Sequence, residues 1–124
     1  MSKQIMIIDD SPTMLMSLNG ILSKAGLTVV QARNGEEALA ILKGGSKPDL
    51  IVTDLNMGAM NGIELIRNIR KLSGLQFTPT IVLTTESQQD RRTEAKAAGA
   101  TGWIVKPVEA DALLQVVRQL VPGA

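Results

Sequence analysis

The sequence predicts an α/β domain built on one parallel five-stranded sheet with helices on both faces. Three observations predict it. Short aliphatic runs of strand length alternate with helical patterns five times along the chain. The third run, Asp49–Asp54, is aliphatic between its acidic ends, as a strand buried on both faces requires. The repeats share no fixed-period self-similarity, which excludes a solenoid. A chain of 124 residues suits one domain, spanning 1–124, with a real core.

The elements follow in order. A first strand covers Gln4–Asp9. Ser11 is a helix N-cap and Pro12 stands at the first helical position, where a missing N–H costs nothing. Met14, Leu15, Leu18, Ile21, Leu22 and Ala25 recur at helical spacing until Gly26 stops the helix. Leu27–Ala32 is the second strand. Asn34 caps a short helix and Glu37 completes a capping box, with Ala38, Leu39, Ile41 and Leu42 as the buried stripe. The turn-rich KGGSKP segment leads to the third strand. After a loop from Leu55 to Asn61, Ile63, Leu65, Ile66, Ile69 and Leu72 mark a third helix. Thr80–Thr84 is the fourth strand. A fourth helix, about Gln88–Ala98, starts at a Ser87 cap and ends at Gly99. Thr101–Lys106 is the fifth strand, and a last helix runs over about Glu109–Val121. The fourth helix is unusual: its apolar content is mainly Ala95, Ala97 and Ala98, which bury little area, so it is predicted to be weakly anchored and part of any regulated surface.

Composition excludes several classes. There is no cysteine and no histidine, so disulfides, thiol chemistry, zinc-thiolate sites and a histidine general base are all ruled out. The net charge of +1 is too balanced for nucleic-acid binding, and one Trp with one Phe makes no base-stacking platform. The N-terminal apolar stretch is too short for a signal peptide, and no segment approaches a membrane span. A reduced, cytoplasmic location is the expectation.

The chemistry concentrates where apolar runs end. Asp9-Asp10, Asp54, Thr84 and Lys106 each follow one, and ligands of open parallel sheets bind beyond the carboxyl ends of the strands. Three carboxylates gathered there repel one another, so a proton or a cation must neutralise them. A hard divalent cation with oxygen ligands does so, and Mg2+ with a phosphoryl group is the usual pairing. Asp54 ends the most buried strand and is the candidate nucleophile for an acyl phosphate. Asp9 and Asp10 are the candidate metal-side acids, Lys106 supplies a cation, and Thr84 offers a hydroxyl to a phosphoryl oxygen. Asn56 and Glu86 would line the rim. Elsewhere, Arg91 and Arg92 read as a solvated face, and Met57 and Met60 as loop packing or a soft partner contact.

At these residues the chain resembles the receiver domain of two-component response regulators, over nearly its whole length. The resemblance is carried by Asp9-Asp10, the IVTDLNM segment around Asp54, Gly62, the TTE of Thr84–Glu86 and the KP of Lys106-Pro107. GATGWIVKP looks most like the single-domain chemotaxis regulators of the CheY type. The resemblance implies a flavodoxin-like (βα)5 fold with strand order 2-1-3-4-5. It implies a signalling protein rather than an enzyme, which takes phosphate on Asp54 from a sensor histidine kinase. Mg2+ would be bound by Asp10, Asp54 and the backbone carbonyl of Asn56, with Asp9 acting through water. It implies that Thr84 and Lys106 contact the phosphoryl group, and that Thr84 and Trp103 form the switch, Trp103 standing where the family has Tyr or Phe. The downstream target implied is a flagellar motor switch, and the state a monomer.

Three positions depart from the family: Gly58 for Pro, Val108 for Phe, and Thr85 for Ala or Gly, where it could crowd the phosphate and its attacking water. Two other classes compete. A Mg2+-dependent phosphohydrolase with an aspartyl nucleophile usually carries D-x-D after its first strand, whereas the acids here are adjacent. A flavin carrier needs a Thr/Ser/Gly phosphate loop at that place, where acids would repel the phosphate.

Overall fold

Strand and helix periodicities divide the core between the two faces of one sheet. The computed structural model describes residues 3–124 and, within them, every side chain except those of Glu86 and Gln89. Five strands, β1 (Gln4–Ile8), β2 (Thr28–Ala32), β3 (Leu50–Asp54), β4 (Thr80–Thr84) and β5 (Gly102–Val105), all pair in parallel in the order β2-β1-β3-β4-β5. The helices are α1 (Pro12–Lys24), α2 (Gly35–Lys43), α3 (Gly62–Ile69), α4 (Arg92–Ala98) and α5 (Ala110–Leu120). This is the flavodoxin-like arrangement.

Alternate residues of each strand serve opposite layers. Ile5, Ile7, Leu50, Val52, Ile81 and Leu83 pack with Leu15, Leu18 and Leu22 of α1 and Leu113 and Val117 of α5. Met6, Ile8 and Ile51 point to the other side, against α2 and α3. Val82 joins Leu55, Ile63, Ile66 and Ala95 in a third cluster beside α3 and α4. The central strands β3 and β4 are buried at every position, which explains their unbroken aliphatic runs. Met57 is buried and Met60 half-buried, both packed into the α2–α3 cluster.

Most helix starts follow the sequence chemistry. Ser11 accepts from the Met14 N–H and Pro12 opens α1. At α3, Asn61 and Glu64 form a reciprocal capping box. At α2, Asn34 accepts from the Glu37 N–H, but Glu37 reaches past the cap to the Arg33 N–H at 3.1 Å, so the expected box is displaced by one residue.

The fourth helix departs from expectation. It does not start at a Ser87 cap. A 3₁₀ segment occupies Glu86–Arg91, and only Arg92–Ala98 is α-helical. The Thr85 N–H donates to Gln88 Oε1 at 2.9 Å and the Gln88 N–H returns to the Thr85 carbonyl at 3.0 Å. That clasp across three residues favours the tighter turn. With Ala95 the sole buried side chain described in it, α4 is weakly anchored. Its far end is held better: Arg70 donates to the carbonyls of Leu75 (2.9 Å) and Gly99 (2.7 Å) and to Thr80 Oγ1 (3.1 Å).

Two glycines should respond oppositely to a methyl group. A Cβ on Gly62 would collide with the Asp54 carbonyl oxygen, which is backbone and cannot move aside, whereas nothing lies within 4 Å of one on Gly20 in the middle of α1. Gly62→Ala is expected to lower stability by roughly 1–3 kcal/mol. Gly20→Ala is expected to raise it by roughly 0.5–1 kcal/mol. Urea unfolding of both variants checks the pair of signs.

Candidate functional site

The site forms because the strand alternation runs on past the strand ends. Ile5 and Ile7 lead to Asp9, Leu50 and Val52 lead to Asp54, and Ile104 leads to Lys106, all on the α1/α5 side of the sheet. Asp9, Asp10 and Asp54 each bring a carboxylate oxygen within 4.8 Å of the others. Lys106 Nζ lies 2.9 Å from Asp54 Oδ1. The same oxygen accepts the Leu55 N–H at 3.0 Å. Among the described residues no donor reaches Asp54 Oδ2. Asp9 is 1% exposed and Asp54 6%, while Asp10 faces solvent.

Asp9 carries the electrostatic tension. Its Oδ1 accepts the Ser11 N–H at 2.9 Å, but its buried Oδ2 has no partner among the described residues. Burial above all raises its pKa, against the Ser11 N–H, which lowers it; the Asp54 and Asp10 carboxylates add to the rise and Lys106 opposes it. One amine cannot neutralise three acids. The donor set is all oxygen, partly buried and short of positive charge, so these residues fit a hard divalent cation.

Thr84 and Trp103 belong to the other face. Thr84 follows Val82 in the alternation and Trp103 pairs in register with Val82, so both lie on the α3/α4 side. Thr84 is buried and its hydroxyl has no partner among the described residues. Trp103 is half-buried against the third apolar cluster, with the Arg92 guanidinium 5.0 Å from its ring centroid. Arg92 is therefore half-buried over a ring, not on a solvated face. Asn56 is exposed in the loop after β3. The rim position expected for the Glu86 side chain lies outside the described residues.

Residues 5–118 match the response regulator receiver domain family. The chain belongs to that family. This receiver is 40% identical over 118 residues to the chemotaxis protein CheY-3 of Vibrio cholerae, covering 94% of this chain and 90% of that one. It is 32% identical over 120 residues to the protein PilH of Pseudomonas aeruginosa, covering 97% and 98%. Among solved structures, the V. cholerae chemotaxis protein CheY4 superposes with a TM-score of 0.92 at 36% identity, covering 98% of this chain and all of that one. The receiver is thus CheY-like, and receivers of this type are signalling proteins without a dedicated catalytic activity.

Sequence reasoning named the acids, the lysine, the threonine and the tryptophan. It missed the Leu55 N–H on Asp54 and the Ser11 N–H on Asp9, because backbone donors carry no residue-type signal. It also missed Arg92, whose partner is eleven residues away on another element.

A carboxyl that binds its proton more tightly folded than unfolded adds stability below its unfolded pKa and loses it as pH rises through the folded value. In metal-free receiver at pH 7, ionised Asp9 is therefore a cost. Asp9→Asn should raise the thermal midpoint there by about 2–6 °C, on the order of 1 kcal/mol, and the gain should shrink towards acid pH. Calorimetry across that range tests the sign; a midpoint lowered at pH 7 would contradict it.

Proposed function

We propose that this receiver is a phosphorylation-activated response regulator, which accepts a phosphoryl group on Asp54 with Mg2+ and thereby changes its partner-binding surface. The observation that carries the proposal is the Lys106–Asp54 contact of 2.9 Å inside a ring of carboxylates. It places a cation on one oxygen of Asp54, whose other oxygen receives no donor from the described residues.

Asp54 is the phosphoacceptor. Its Oδ2 attacks phosphorus of a phosphohistidine on a sensor histidine kinase. The new O–P bond forms as the N–P bond breaks, and the bonding pair returns to the imidazole, which takes up a proton. The Leu55 N–H and Lys106 hold Oδ1 and fix the carboxylate plane. Lys106 then offers its charge to the transferred oxygens, and the unpartnered Thr84 hydroxyl can donate to one of them. Asp10, Asp54 and the Asn56 backbone carbonyl, with Asp9 through water, would hold Mg2+, which when bound draws charge from the phosphoryl group. Trp103, on the same face as Thr84, turns inward as Thr84 engages the phosphate, and this repacks the surface of α4, β5 and α5.

Chemotaxis is the pathway this reading favours, because the CheY relatives are named for it. A flagellar motor switch is the implied target, the state a monomer and the location cytoplasmic; neither nucleic acid nor membrane is a partner. No described helix is long and apolar enough to cross a membrane. The phosphohydrolase alternative is not favoured by the family match.

With Mg2+ and a small-molecule phosphodonor, the intact protein should gain the mass of one phosphate. Beryllofluoride should change the fluorescence of Trp103, the lone tryptophan. Asp54→Asn should abolish both effects while leaving the thermal midpoint near that of the wild type; mass gain that persists in this variant refutes the assignment. Thr85 is half-buried with its hydroxyl 2.9 Å from Ser87 Oγ. If its bulk hinders the attacking water, Thr85→Ala should shorten the phosphate lifetime severalfold, and an unchanged decay of radiolabelled protein would refute that role.

A further inference from the structure

We propose that Arg92 is a latch that holds Trp103 in its resting position, so that breaking this one stack sets how readily the receiver enters its activated state. The proposal rests on the switch role given to Trp103 above and adds the residue that opposes the switch.

Among the described residues Arg92 lacks ordinary partners. The neighbouring Arg91 takes the Glu94 carboxylate at 2.9 Å. Among the described residues Arg92 makes no ion pair and no hydrogen bond, and its Nε is buried without an acceptor. What its guanidinium does have is the Trp103 ring, 5.0 Å away at the centroid. A cation over an indole face is attracted to it, more strongly as water is excluded. A buried donor with no acceptor costs free energy of similar size. The two terms oppose each other within one side chain, so the stacked arrangement is held by a small margin. An alternative in which the ring turns away and Nε meets water lies close in free energy. Near-degenerate packings of that kind are what a small input can tip.

The surroundings make the stack decisive. α4 has one buried side chain described, Ala95, and is preceded by a 3₁₀ segment rather than a packed helical turn. Its C-terminal end is tied down, because Arg70 donates to the Gly99 carbonyl at 2.7 Å and Gly99 adopts the left-handed conformation at φ 114°. Near the N-terminal end, the described tertiary contact of a charged side chain is Arg92 on Trp103. Trp103 in turn packs beside Val82, two residues before Thr84 on the same strand face. The stack therefore bridges the helix that moves and the strand that reaches the phosphorylation site. If occupation of Asp54 favours the unstacked ring, removal of the stack must favour occupation of Asp54 by the same factor.

The test compares wild type, Arg92→Ala, Arg92→Gln and Arg92→Lys. Thermal midpoints first establish that each is folded. Acrylamide quenching of Trp103 in the metal-free proteins reads the stack, and a beryllofluoride titration at fixed Mg2+, scored by its midpoint rather than its amplitude, reads the coupling. Arg92→Ala and Arg92→Gln should each expose Trp103 to quencher and bind beryllofluoride about two- to tenfold more tightly. Arg92→Lys, which keeps a cation above the ring, should stay within about twofold of wild type. Quenching that rises with no tightening of beryllofluoride binding overturns the latch and leaves the phosphoacceptor reading intact. Quenching unchanged in both neutral variants overturns it too. A wild type that does not respond to beryllofluoride at all removes the phosphoacceptor reading, and the latch with it.

Discussion

Three carboxylates share the carboxyl edge of one sheet with a single amine, and the rest of the molecule is arranged around that imbalance. Asp9 and Asp54 are nearly sealed from solvent, so their charges cannot be relieved by water, and Asp10 stands at the mouth. The fold tolerates this by aiming backbone N–H groups at the acids: Ser11 on Asp9 and Leu55 on Asp54. It also presses the start of α3 against the Asp54 carbonyl so closely that only glycine fits at position 62. These are costs in the isolated domain, of the kind that a bound hard cation would offset.

The period-two alternation of parallel strands partitions the labour. One face carries Asp9, Asp54 and Lys106 beneath α1 and α5; the opposite face carries Thr84 and Trp103 beneath α3 and α4. Charge is handled on one side of the sheet and shape on the other. Thr84 ends the strand beside Asp54 while belonging to the second face, which makes it the natural crossing point between the two.

How much of this could be seen in the sequence follows from the range of each interaction. The five strands, the helix stripes and the caps at Ser11 and Asn34 depend on neighbours within four residues, and those patterns were legible; the Asn61 cap, equally local, was passed over as the end of a loop. The polar strand ends were legible as well, because a run of aliphatic residues closed by Asp or Lys is a local signal. Strand order was not written in any single pattern and came through the family resemblance. Ser87 looked like a cap, yet Thr85 and Gln88 bind each other and draw the chain into a tighter turn. Glu37 had another backbone donor in reach, the Arg33 N–H. Arg92 looked like any solvated arginine, since nothing at its own position announces a tryptophan on another element.

Arg70 has a mechanical consequence. Arg70 is half-buried, which lowers its pKa, and its described hydrogen-bond partners are two carbonyls and a hydroxyl rather than a carboxylate. Bonds to neutral acceptors are little affected by ionic strength or by acid, so this rivet keeps its grip over a wide range of conditions. A rod fixed at one end can only swing. With a rise of 1.5 Å per residue, α4 forms a lever arm roughly 10 Å long, and a tilt of about 10° carries its free tip only about 2 Å. Displacement on that scale is enough to open or close a side-chain-sized notch for a docking partner while leaving the base of the sheet undisturbed.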